Sequence, residues 1–143
     1  MVATTILPSP ADLVARALND LKVGTDPSEN GKWPVYVTEE PDKPDDVITI
    51  IDTQGTLEGR LQISGVIVEK LGIQIRIRSV SSTPKKPQEI RDALDQQIRN
   101  TAVIVSGTTY TIVSVSRTSN IIPIGSAPLS SLNLFTINAQ VTL

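Results

Sequence analysis

An α+β domain is what this chain of 143 residues should form, with a mainly antiparallel or mixed sheet, two helices packed on one face and a protruding β-hairpin. Two stretches carry apolar residues at helical spacing between start and stop signals. Several others alternate apolar and polar residues with a period of two, giving each strand one dry and one wet face. The length suits one domain, residues 1–143, able to bury roughly 68–70% of its unfolded surface.

The elements follow in order. "SPADLVARALNDLKVG" is a helix with Ser9 as N-cap, Pro10 at its first position, Asp12 near the positive end and Gly24 as stop, and Leu13, Val14, Ala17, Leu18 and Leu21 share one face. "WPVYVT", Trp33 to Thr38, is a short strand, and "EEPDKPDD" is a loop. "DVITIID" is a strand with Ile48 and Ile50 inward, ending at turn residues near Gly55. "GRLQISGVIVEKLG" places two apolar runs around Ser64-Gly65, a hairpin turn. "GIQIRIRSV" alternates Ile73, Ile75 and Ile77 against Gln74, Arg76 and Arg78. "TPKKPQEIRDALDQQIRN" is the second helix, with Ile90, Ala93, Leu94 and Ile98 on one face and Asp95 set to pair with Arg99 at i,i+4. "AVIVSGTTYTIVSVSR" is a hairpin turning at Ser106-Gly107. "LFTINAQVTL" closes the chain, with Phe135, Ile137, Ala139, Val141 and Leu143 on the dry side. The stretch from Ile121 to Ser131, with Pro123 and Pro128, gives no clear signal.

Composition narrows the chemistry. The chain has no cysteine and no histidine, which removes thiolate zinc sites, a cysteine nucleophile and the usual general base. Its serines therefore lack a base for a hydrolase triad. Asp52 and Glu69 at strand ends have no spacing that marks a catalytic carboxylate pair. Glu39, Glu40, Asp42, Asp45 and Asp46 offer oxygens to a divalent ion, but two prolines and a missing central glycine do not match a calcium loop. No catalytic, cofactor-binding or metal-binding residue is expected. No apolar run approaches the roughly 20 residues that span a bilayer, and a secretory signal pattern is missing. Charge is uneven: residues 1–58 hold 11 acids against 4 bases, a balance of −7, while residues 59–143 hold 4 acids against 9 bases, a balance of +5. Opposite halves suit pairing between copies.

Six motifs, "DVITIIDTQG", Gly59-Arg60, "GIQIRIRS", the helix after Lys85-Lys86, "GTTYTIVSVSR" and "LFTINAQVTL", resemble in that order the phage minor capsid and tail terminator family, from about Val47 to Leu143. The resemblance implies a structural protein without a reaction or cofactor, placed in the virion at the head–tail junction after synthesis in the host cytoplasm. It implies a ring, a hexamer, that caps the tail tube. The ring's partners would be the tube protein, the head–tail connector or stopper, and double-stranded DNA passing through without sequence recognition. Another neck protein is the alternative reading, and a small enzyme a more distant one.

A closed ring needs two unlike complementary patches on each subunit. The acidic first part and the basic second part offer both, and two contacts are expected. Leu61, Ile63, Val66 and Val68 make the hairpin too apolar to stand free, so it should add to a neighbour's sheet edge. Gln74, Arg76 and Arg78 point away from the isoleucine face and should meet Glu39, Glu40, Asp42, Asp45 and Asp46 of a neighbour.

Overall fold

The computed structural model describes residues 9–29, 31–60, 67–81, 83–126 and 132–142. Helix α1 (Pro10–Asp20) begins as expected, with a capping box in which the Ser9 side chain and the Asp12 carboxylate each accept from the other's main-chain amide. Its end differs from expectation. The stop is a Schellman turn at Lys22, which takes φ 61° while Val23 N donates to Leu18 O at 3.0 Å and Lys22 N to Asn19 O at 3.0 Å. Gly24 serves another purpose: a Cβ there would collide with the Val35 side chain, so it lets the chain leaving α1 press against the sheet.

Strand β1 (Val35–Val37) runs parallel to β2 (Val47–Arg60), which pairs antiparallel with β3 (Ile67–Ser79). The expected break near Gly55 does not occur, and the separate hairpin beyond it merges into β2 and β3. The ladder absorbs the glycines through register shifts between Thr53 and Thr56 and between Leu57 and Gly59, so the strands continue where the sequence suggests a turn. The Ser64-Gly65 turn lies outside the described residues.

Helix α2 (Lys85–Asp92) follows, widening into a π turn from Ala93 to Gln97 before β4 (Arg99–Val105). The expected Asp95–Arg99 ion pair is replaced, because Arg99 already lies in β4. Arg99 Nη2 donates to the Asp95 carbonyl at 3.1 Å, and the Asp95 carboxylate accepts from Arg117 Nε at 2.7 Å. That contact raises the Arg117 pKa. Strand β5 (Thr108–Arg117) returns through the expected turn, with Ser106 at φ 51° and Gly107 at φ 78°, both left-handed as a tight hairpin of this kind requires. The unassigned stretch holds a short strand, β6 (Ile122–Ser126), which pairs with the last strand, β7 (Asn133–Thr142).

The seven strands form one curled mixed sheet in the order β1-β2-β3-β7-β5-β4, with β6 beside the first half of β7. Only β1–β2 is parallel among its pairs. Rows such as Ile48–Ile77–Phe135 and Ile50–Ile75–Ile137 cross its inner face, where Leu13, Leu18, Ile90 and Leu94 from the helices complete the core. Asp52 also points inward, and its carboxylate accepts from Ala11 N at 2.9 Å, tying the start of α1 to β2.

Candidate functional site

The outer face of the sheet is the one the helices leave uncovered. Across β2, β3 and β7 it presents the rows Val47–Arg78–Leu134, Thr49–Arg76–Thr136 and Ile51–Gln74–Asn138. Alternation placed Gln74, Arg76 and Arg78 here correctly, since the three isoleucines between them are fully buried on the other side.

The two arginines have different surroundings. Arg78 is only 8% exposed. Its guanidinium sits in a cradle of main-chain oxygens, donating to Pro44 O at 2.8 Å, Asp42 O at 3.1 Å and Asp45 O at 3.3 Å, with Glu40 Oε2 at 3.8 Å from Nη1. Arg78 thus meets the acidic stretch of its own chain, and mostly through carbonyls. The Asp46 carboxylate accepts from Val80 N at 3.0 Å, and Lys43 pairs with Asp45 at 2.9 Å, so the loop's acids are partly used in holding it. Glu39 and Asp42 keep exposed side chains.

Arg76, half-buried in the middle of the face, has no hydrogen-bond or ion-pair partner among the described residues. Its cross-strand neighbours Thr49 and Thr136 have buried hydroxyls without partners. Gln74 is satisfied by Asn138 Oδ1 at 3.2 Å. A guanidinium beside two unpaired hydroxyls is a strong donor set to which no carboxylate or carbonyl is bound among the described residues.

The second feature is the ribbon. The β3–β7 ladder stops at Leu71–Val141, yet β2 and β3 stay paired from Thr56–Lys70 out to Arg60–Ile67 with no third strand beside them among the described residues. From Thr56 to Arg60 that is about 13 Å of two-stranded structure. Val68 pairs with Gly59 within it, while Leu61, Ile63 and Val66 lie outside the described residues.

Among the described residues, no three acidic side chains gather as a metal-binding group. A curled sheet with a projecting ribbon and an unpaired cation on its outer face has the build of a structural subunit. The comparisons specify the kind. The sequence matches the bacteriophage tail terminator protein family over residues 17–143, and the chain belongs to that family. It is a structural protein of the phage tail and a component of the virion, in keeping with a place at the head–tail junction, where it assembles with other proteins of the particle. No curated protein matches the sequence. Among solved structures, a chain from the virion of a native gene transfer agent particle has the same fold, with a TM-score of 0.53 at 8% identity over 94% of this chain and 96% of that one. Another solved chain covers 92% of this one and 95% of itself at 10% identity, with a TM-score of 0.43.

Proposed function

We propose that this protein closes into a ring, a hexamer, that caps the tail tube at its head-proximal end and joins it to the head connector or stopper, with DNA passing through the opening. The observation that carries this reading is family membership over nearly the whole chain. The acidic first part and the basic second part offer the two unlike patches that a closed heterologous ring needs. The reading involves no reaction, cofactor or metal.

In this ring the ribbon, with Leu61, Ile63, Val66 and Val68, packs on the next subunit, and the outer face with Gln74 and Arg76 meets a neighbour's acidic loop. Arg78, Glu40, Asp45 and Asp46 brace that contact from within each subunit. Arg76 then takes its acceptor from Glu39 or Asp42, the acids of the loop whose side chains stay exposed.

A cap stops polymerisation, which gives the test. Particles assembled without this protein should carry tubes of uncontrolled length and fail to join heads, as seen by electron microscopy. Tails of normal length attached to heads would sink the reading. Native mass spectrometry of the purified chain should find a hexamer, and a chelator should leave it unchanged.

A further inference from the structure

The sheet is open. Its edge strands β1 and β4 both pack against α1 and do not pair with each other among the described residues. Beside β1, above the outward side of α1, lies a groove of about 450 Å³. Ala15, Arg16 and Asn19 form its floor, Val35 and Val37 one wall, and Val105 at the end of β4 the other.

The wall on the β1 side exposes main-chain groups. Ile48 N donates to Pro34 O at 3.0 Å and Thr38 N to Ile50 O at 2.9 Å, so Pro34, Tyr36 and Thr38 turn toward β2. By alternation Val35 and Val37 turn away from it. Val35 N is taken by Thr25 O at 2.9 Å and Val37 O by Glu39 N at 2.9 Å, leaving the Val35 carbonyl and the Val37 amide at the groove. An apolar wall with one outward carbonyl and one outward amide, two residues apart, fits an added strand: main-chain bonds give affinity and the valines give register.

We propose that the ribbon of a second copy of this chain lies in this groove and adds to the outer edge of β1. This deepens the ring reading and rests on it. The ribbon beyond Thr53 and Leu71 has outer edges that pair with no other described strand, the kind of edge that templates a further strand. The chain's own ribbon is excluded, because β2 runs unbroken from its pairing with β1 at Ile48–Ile50 out to Arg60 and so leads away from the groove. Charge does not oppose the contact: the groove carries Asp12 and Asp26 against Arg16, and the ribbon from Gln54 to Lys70 holds Arg60 and Lys70 against Glu58 and Glu69. Every subunit then gives a ribbon to one neighbour and receives one from the other, which is the heterologous contact that a ring closes on.

Two experiments test this. Val37→Pro removes the outward amide and keeps an apolar side chain at the groove, and proline is tolerated where a strand's N–H faces away from the ladder. The subunit should keep its circular dichroism, and assembly measured by sedimentation should weaken at least tenfold. The chain has no cysteine, so introduced pairs are the only ones present. Mixing Val37→Cys with Glu58→Cys, and separately with Glu69→Cys, should give a disulfide-linked dimer between the two variants under mild oxidation for at least one ribbon strand. If rings form but Val37→Pro assembles as the wild type does and neither mixture cross-links, the ribbon docks elsewhere and this inference fails while the ring stands. A failure of Val37→Pro to fold leaves the decision to the cross-links. A wild-type chain that never leaves the monomer overturns both readings.

Discussion

Strand β3 passes through two environments. From Leu71 to Ser79 it lies between β2 and β7 with the helices beneath, and Ile73, Ile75 and Ile77 are fully buried. From Ile67 to Lys70 it pairs, among the described residues, with β2 alone. An isolated two-stranded ribbon is marginal in water, so the far end adds little to the fold and costs order to maintain. The contrast separates what the subunit needs to fold from what it can offer to a neighbour. The outer face repeats the division on a smaller scale, with Arg78 enclosed by its own loop and Arg76, two residues earlier, lacking an acceptor.

The largest effect on subunit stability should come from the enclosed end. Ile75→Ala removes a fully buried side chain from the middle of the inner face and should cost about 2–5 kcal/mol, read as a fall in the urea midpoint. A loss below 1 kcal/mol would mean that the inner face is not the core of the fold. Next comes Arg78→Met, which leaves three carbonyls and the Glu40 carboxylate without their cation. With charge-assisted bonds worth about 1.5–3 kcal/mol, it should destabilise the isolated subunit by roughly that amount. An unchanged midpoint would show that the loop holds itself.

Arg76→Glu sharpens the comparison, because it should leave the isolated subunit within about 0.5 kcal/mol of wild type while abolishing ring closure. Normal sedimentation of this variant would place Arg76 against solvent or the channel. The smallest effect belongs to the loop after α1. Hydrogen bonds from the Ser28 hydroxyl and amide, with help from Arg16, hold the Asp26 pKa below its usual value. Its folded-state pKa is the lower one, so the stability it contributes is present above about pH 4 and is lost as the pH falls through the folded value. Asp26→Asn should therefore lower stability slightly at pH 7, and the difference should shrink as the pH falls below about 4, measured by thermal melts across the range.

Local signals made much of this legible from the residues. The Ser9 cap, the Ser106-Gly107 turn and the alternation of Ile73 to Arg78 each depend on a few neighbouring residues, and the structure bears them out. What stayed hidden depends on distant partners. Lys22 closes α1 in a left-handed conformation for which lysine gives no sign. Gly55 looks like a turn, yet β3 supplies a partner that carries the strand past it. Strand β6 contains Pro123, which fits a strand paired on one side only. The acidic loop did draw attention to Arg78, but its hold is chiefly through carbonyl oxygens, which every residue has and no pattern of side chains reveals.

If the ribbon serves assembly and not folding, its removal leaves the subunit folded and unassembled. Replacing Gly59 to Lys70 by a short Gly-Ser linker, then measuring circular dichroism and sedimentation on the same sample, tests it most directly. The account predicts a folded monomer with wild-type secondary structure outside the ribbon. An unfolded product, or a folded one that still sediments as the wild-type ring, would contradict it.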